Sequence, residues 1–226
     1  MLLAQKGYKV WIAGRSQESL ARVCKQAPEQ LMPLVLDVCD SIGVSAAIHQ
    51  LADKLDVFVY AAGLGAYSDI RSPEDPELWN QVISTNLSGA YTCVRAALPI
   101  LHSPGRVIFV SSVLGLRGMR HSHAYCASKH GLIGLMRSLA LDLAAQAITV
   151  NAICPGWVET QMAKQDMQNM ADFWGLAPAE IEQAEMAAVP IGRWIQTHEV
   201  AELVGYLASP MAAAITGQAI EINGGL

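Results

Sequence analysis

Six short runs in this chain are apolar on both of the faces a strand would present, and that property constrains the fold more than any other. The runs are residues 9–14 (KVWIAG), 31–38 (LMPLVLDV), 56–63 (DVFVYAAG), 106–112 (RVIFVSS), 147–154 (AITVNAIC) and 218–222 (QAIEI). A strand with one wet face alternates apolar and polar residues, whereas a strand apolar throughout belongs in a parallel sheet covered by helices on both sides. Helical patterns lie between the runs: SQESLARVCKQ with Ser16 as N-cap, a segment after Asp40, a long stretch over 77–101, another over 124–145, and THEVAELVGYLA with Thr197 as cap. Repeated βα units impose right-handed crossovers, so the pattern predicts an α/β chain with a doubly wound parallel sheet of the Rossmann type. Ligands of that architecture bind at the carboxyl ends of the strands. Residues 159–196 break the alternation. Rich in Met, Trp and Ala, they predict one or two short helices lying over the strand ends as a lid on a single domain spanning 1–226.

Charge narrows the function classes. The formal net charge is −5 and the sequence pI about 5.6. Phosphate backbones and anionic membranes need clustered Lys and Arg, which the chain lacks, so neither nucleic acid nor membrane is an expected partner. No run approaches the roughly 18 apolar residues of a membrane span, and no targeting segment is visible. The five cysteines are scattered, without a Cys-x-x-Cys pair, which predicts reduced, buried thiols and a cytoplasmic location.

The richest chemistry lies in SSVLGLRGMRHSHAYCASK, residues 111–129. Tyr125 and Lys129 are four apart at the start of a predicted helix and share one face. An ammonium beside a phenol favours the phenolate, which predicts a Tyr125 pKa lowered from about 10 toward neutrality and suited to general acid or base work. Ser112 ends a strand, and its hydroxyl can bind the oxygen that Tyr125 protonates. An isolated Tyr-x-x-x-Lys pair is weak evidence, since it arises by chance on exposed helices. His121-x-His123 has a metal-like spacing without a nearby third ligand, and reads as loop or pocket lining. Cys126 points about 100° around the helix from Tyr125, which favours packing over redox chemistry. Asp142 and Glu159 form no carboxylate pair of the hydrolase kind.

In this setting the chain resembles the short-chain dehydrogenase/reductase family from Gly7 to Leu226. The resemblance carries Asn86, Ser112, Tyr125 and Lys129 over as the catalytic residues, with Asn86 holding a water relay behind Lys129 and Lys129 holding the nicotinamide ribose. It carries Asp37 and Val38 over as the adenine contacts, Ala62 and Gly63 as part of an Asn-Ala-Gly motif from which Ala61 departs, and Pro155, Gly156, Val158 and Thr160 as the loop meeting the nicotinamide carboxamide and diphosphate. ITGQAIEINGG, residues 215–225, is similar to the closing strand and final turn of the family. NAD-preferring members place an acidic residue at the end of the strand that here closes on Gly14. Arg15 follows instead, and its guanidinium suits a 2′-phosphate, so NADP(H) is expected over NAD(H).

The implied reaction is hydride transfer between nicotinamide and a ketone or alcohol carbon, without metal. PIGRW (190–194), THEVAELVGYL and CPGWVETQM most resemble ketoreductases acting on 3-oxoacyl thioesters or polyketides. The implied substrate pocket is apolar, lined by Leu114, Met119, His121 and His123 between Ser112 and Tyr125, with Trp157 and the lid residues Met162 and Trp174 above it. The resemblance also implies a homo-oligomer, a tetramer or dimer built through the two long helices.

The opening MLLAQKG reads as the last turns of a helix closed by Gly7. The family pattern begins with a strand, a Thr-Gly-x-x-x-Gly-x-Gly turn and a helix, of which only the helix tail is matched. The unmatched part amounts to about 20 to 25 residues by typical element lengths. Two expectations follow. The glycine N–H groups of the diphosphate site fall outside this sequence, and the strands at 9–14 and 56–62 either face a gap or close on each other. Three readings stay open: an NADP-dependent ketoreductase, a catalytically silent shortened homologue serving as an oligomer partner, and an NAD-dependent hydroxyacyl or alcohol dehydrogenase.

Overall fold

The computed structural model describes residues 1–51 and 55–226. Helix α1 (Leu2–Gln5) is closed by Gly7 at φ +91° and leads into β1 (Val10–Gly14). Helix α2 (Gln17–Cys24) starts where the Ser16 hydroxyl accepts the Ser19 N–H at 3.2 Å. After β2 (Leu31–Val35), Asp40 caps α3 (Ser41–His49), and β3 (Leu55–Tyr60), α4 (Asp75–Ile83) and α5 (Gly89–Ala97) follow. The chain continues through β4 (Leu101–Val110), α6 (His123–Leu143) and β5 (Thr149–Pro155). Two helices, α7 (Gln161–Trp174) and α8 (Pro178–Ala188), occupy the expected lid region, and α9 (Thr197–Ala208) and β6 (Ala219–Ile222) close the fold.

All strand pairs are parallel, and the α/β doubly wound class holds. The strands form two sheets, β1-β2 and β3-β4-β5-β6. Among the described residues no ladder joins β1 to β3, so of the two expected outcomes for these strands the gap is the one observed.

The doubly apolar strands bury both faces of the larger sheet. Val107, Phe109, Val150, Ala152 and Cys154 meet Val44 and Ile48 of α3, Val94 of α5, and Leu132 and Met136 of α6. Ile108 and Ile153 point the other way, under Leu207 and Ala208 of α9, with Leu3 of α1 packed against them. Each fully buried Val, Ile or Phe contributes roughly 1.5–3 kcal/mol. A rigid sheet edge results, and it fixes where the loops after β3, β4 and β5 begin.

Three sequence expectations about the elements are corrected. The helix read over 77–101 is interrupted by a π-helical turn, Ser84–Ser88, and finishes in a 3-10 turn at Leu98–Ile100. Gln196, not Thr197, occupies the N-cap of α9, because the Glu199 carboxylate reaches back to the Gln196 N–H at 2.7 Å. The strands read to Val38 and Gly63 end at Val35 and Tyr60, which leaves Asp37, Val38, Ala62 and Gly63 in loops.

Candidate active site

Ser112 stands two residues past the end of β4 and caps the 3-10 turn Val113–Gly115, its hydroxyl accepting the Leu114 N–H at 3.1 Å. Tyr125 and Lys129 project from the first turns of α6, and the Lys129 Nζ stands 5.5 Å from the centre of the Tyr125 ring. The predicted trio is therefore brought together, with Ser112 and Lys129 both buried. Backbone contacts lock it in place: the Ser111 hydroxyl donates to the Lys129 carbonyl at 3.1 Å, and the Lys129 Nζ donates to the Val110 carbonyl at 2.9 Å.

The electrostatics differ from the sequence expectation. The Tyr125 hydroxyl is pushed up to about 12, chiefly by burial, with a hydrogen bond to Ser112 opposing and the charges of Asp166 and Cys126 adding to the rise. Burial draws Lys129 down to about 8, and the Cys154 thiol partly opposes this. The ammonium faces the ring and the Val110 carbonyl, so its attraction does not offset the loss of water around the phenol.

Asn86 sits inside the π-helical turn, fully buried. Its Nδ2 donates to the Leu64 carbonyl at 3.0 Å and to the Ser128 hydroxyl at 3.1 Å, and its Oδ1 accepts the Leu64 N–H at 2.7 Å. This side-chain amide pins the loop after β3 against α6. Ser128 completes the link by donating to the Tyr125 carbonyl at 2.7 Å. Sequence reading passed over Ser128, although it lies within the same motif.

The loop after β3 approaches the cluster closely. A Cβ built on Gly63 would stand 3.5 Å from Asn86 Oδ1 and 3.6 Å from Lys129 Nζ. Gly63 thus keeps a hollow open beside an ammonium that has N–H groups beyond the one given to Val110. That donor set fits the vicinal hydroxyls of a ribose. Ala62 is half-buried against the main core. At the other end of the expected cofactor track, Arg15 is exposed just past β1. Asp37 accepts the Cys39 N–H at 2.9 Å, and Val38 packs on the core beside Gly89.

The loop after β5 is firmly held. Pro155 pairs with Ile222 of β6, the Gly156 N–H donates to the Ile222 carbonyl at 3.0 Å, and Val158 pairs with Ile195. The Thr160 hydroxyl caps α7, accepting the Ala163 N–H at 3.1 Å.

The expected substrate walls are only partly assembled. Leu114 lies beside Ser112, half-buried. His121, at φ +60°, is clasped by Tyr67, Phe173 and Trp174 with ring centres 5.5, 4.6 and 5.4 Å away, and the Trp174 indole N–H donates to the Tyr67 hydroxyl at 2.7 Å. Trp157, like Met119, packs against Met167 and Met170 of α7 and Ile181 of α8, its indole donating to Glu185 at 2.9 Å. His123 is turned onto α4, 2.7 Å from Asp75 and stacked on Trp79, and it lines a surface cavity together with His121.

Asp166 of α7 is a second residue that sequence reading missed. Burial raises its carboxyl to about 6, and its charge reaches Tyr125.

Residues 1–226 match a family model described as Enoyl-(Acyl carrier protein) reductase. A Streptomyces coelicolor protein assigned as a ketoacyl reductase is 36% identical over 237 residues, 99% of this chain and 89% of its own length. The 3-oxoacyl-[acyl-carrier-protein] reductase of Thermotoga maritima is 32% identical over 234 residues, 100% of this chain and 90% of its own. Among solved structures, an actinorhodin polyketide ketoreductase variant with NADPH superposes with a TM-score of 0.92 at 36% identity, covering 99% of this chain and 89% of that one.

Proposed function

The chain belongs to the short-chain dehydrogenase/reductase family, and from that premise we propose that it is an NADP(H)-dependent ketoreductase converting a 3-oxoacyl thioester or polyketide-like ketone to a secondary alcohol. The observation that carries this reading is the gathering of the half-buried Tyr125 phenol, the buried Ser112 and the Lys129 ammonium, 5.5 Å from the phenol ring centre, at the carboxyl end of β4.

The nicotinamide, when bound, supplies hydride to the carbonyl carbon. Ser112 donates a hydrogen bond to the carbonyl oxygen and orients it. Tyr125, which holds its proton throughout the neutral range, gives that proton to the same oxygen. The Lys129 charge then stabilises the phenolate left behind, and its remaining N–H groups hold the ribose hydroxyls. Asn86 acts at one remove, as a positioning residue for the loop that carries Gly63.

Arg15 would meet the 2′-phosphate, Asp37 and Val38 the adenine, Ala62 and Gly63 the dinucleotide beside Lys129, and Pro155, Gly156, Val158 and Thr160 the nicotinamide and diphosphate. NADPH in the similar polyketide ketoreductase supports this cofactor. Leu114 and the clasped His121 line the substrate entry. We place the protein in the cytoplasm, supported by five free cysteines and by the lack, among the described residues, of a helix long and apolar enough to cross a membrane. Exposed Tyr91 on α5 and Leu141 on α6 support a homo-oligomer formed through these two helices.

The test is NADPH consumption with a 3-oxoacyl thioester. Turnover is expected with NADPH in preference to NADH, and Arg15→Ala should narrow that preference by about tenfold, equivalent to about 1.4 kcal/mol. Turnover of a 2-enoyl thioester with none of the 3-oxo compound would overturn the ketoreductase reading.

A further inference from the structure

Helix α7 buries Ala163, Met167, Met170 and Ala171, one stripe at helical spacing, and Asp166 lies on that stripe between Ala163 and Met170. A carboxylate at an inward position of an amphipathic helix is out of pattern. Its seat accounts for how it is tolerated: a Cβ built on Gly65 would stand 2.1 Å from Asp166 Oδ1 and 2.3 Å from Oδ2, so the carboxylate rests directly on the glycine backbone. Gly65 is two residues from Gly63, which abuts Lys129 and Asn86, so one short loop touches the catalytic cluster and the lid carboxylate in turn. Asp166 bears electrostatically on Tyr125, while burial acts on its own carboxyl with no hydrogen bond or cation in opposition.

Resting on the ketoreductase reading above, we propose that Asp166 is a specificity-determining residue that excludes ketones carrying a free carboxylate and confines the site to uncharged 3-oxo compounds, esters and thioesters among them. Asp166 lies near enough to Tyr125 for its charge to act there, so a substrate whose carbonyl oxygen reaches Ser112 and Tyr125 comes within the field of that carboxylate. A free 3-oxo acid carries its negative charge two carbons from that carbonyl, where the like charge of Asp166 repels it. Lys129, the one cation within the cluster described above, lies beyond Gly63 and is engaged with the Val110 carbonyl. An ester or thioester of the same acid is uncharged and escapes this repulsion.

The experiment compares kcat/KM for acetoacetate and ethyl acetoacetate with NADPH, in wild type, Asp166→Asn and Asp166→Glu. Wild type is expected to favour the ester. Asp166→Asn should raise the acid-to-ester ratio at least tenfold, and Asp166→Glu, which keeps the charge, should hold it near the wild-type value. A ratio unmoved by Asp166→Asn, or moved equally by both variants, overturns the inference and leaves the ketoreductase reading standing, because the ester is still reduced. Wild type reducing acid and ester alike also overturns the inference alone. Reduction of neither by wild type overturns the ketoreductase reading and this inference with it.

Discussion

At the scale of single residues, burial outweighs the local pairing that sequence spacing advertises. Tyr125 and Lys129 are on one face as their separation requires, yet the phenol rises to about 12 because the loss of water around it exceeds the pull of its neighbour. Sequence spacing reveals which groups meet, whereas desolvation is a property of everything packed around them. Asp166 illustrates the same limit, since in MAKQDMQNM it reads as one more polar residue of a lid helix. Its carboxyl sits at about 6 in the native state against an ordinary 3.8. Native protein therefore binds more protons than unfolded chain between those values, and stability falls as pH rises through that window. Asp166→Asn removes the buried charge. We predict that it stabilises the protein by on the order of 1–2 kcal/mol at about pH 7.5, with the difference vanishing below about pH 3.8. Urea denaturation at both pH values checks this, and a difference independent of pH would contradict it.

At the scale of elements, strands and caps were largely legible, and interruptions were not. Ser16 and Asp40 cap the helices they precede, and the lid helices appear where Met, Trp and Ala break the βα rhythm. The π-helical turn at Ser84–Ser88 could not be read, because periodicity over 77–101 is the same whether or not one turn widens by a residue. That widened turn is what aims Asn86 at Leu64 and Ser128. Trp157 shows a related limit: its residue type does not say which helices it rests on, and the packing of α7 on α8 supplies them. Ser128 ties the π-helical turn to the start of α6 by accepting from Asn86 and donating to the Tyr125 carbonyl. Ser128→Ala leaves a buried amide donor unpaired and should cost about 1–3 kcal/mol. Urea midpoints should shift accordingly, and an unchanged midpoint would show that Asn86 finds another partner.

At the scale of the whole molecule, two packed faces on one parallel sheet place the loops after β3, β4 and β5 along one edge, and the cluster of Ser112, Tyr125, Lys129 and Gly63 follows from that placement. The doubly apolar runs made this architecture readable, whereas the separation of β1-β2 from the other four strands was one of two outcomes that the family resemblance left open. The direction of the chemistry was less readable, because it depends on Tyr125 holding its proton, and that arises from the packed site as a whole. The central claim is that Tyr125 delivers this proton to the ketone oxygen. Tyr125→Phe keeps the ring and removes only the hydroxyl, so the decisive measurement is kcat/KM for a 3-oxoacyl thioester alongside NADPH affinity in this variant. The account predicts turnover lowered by roughly 10²–10⁴-fold with NADPH binding nearly unchanged. Turnover retained at the wild-type rate would contradict it.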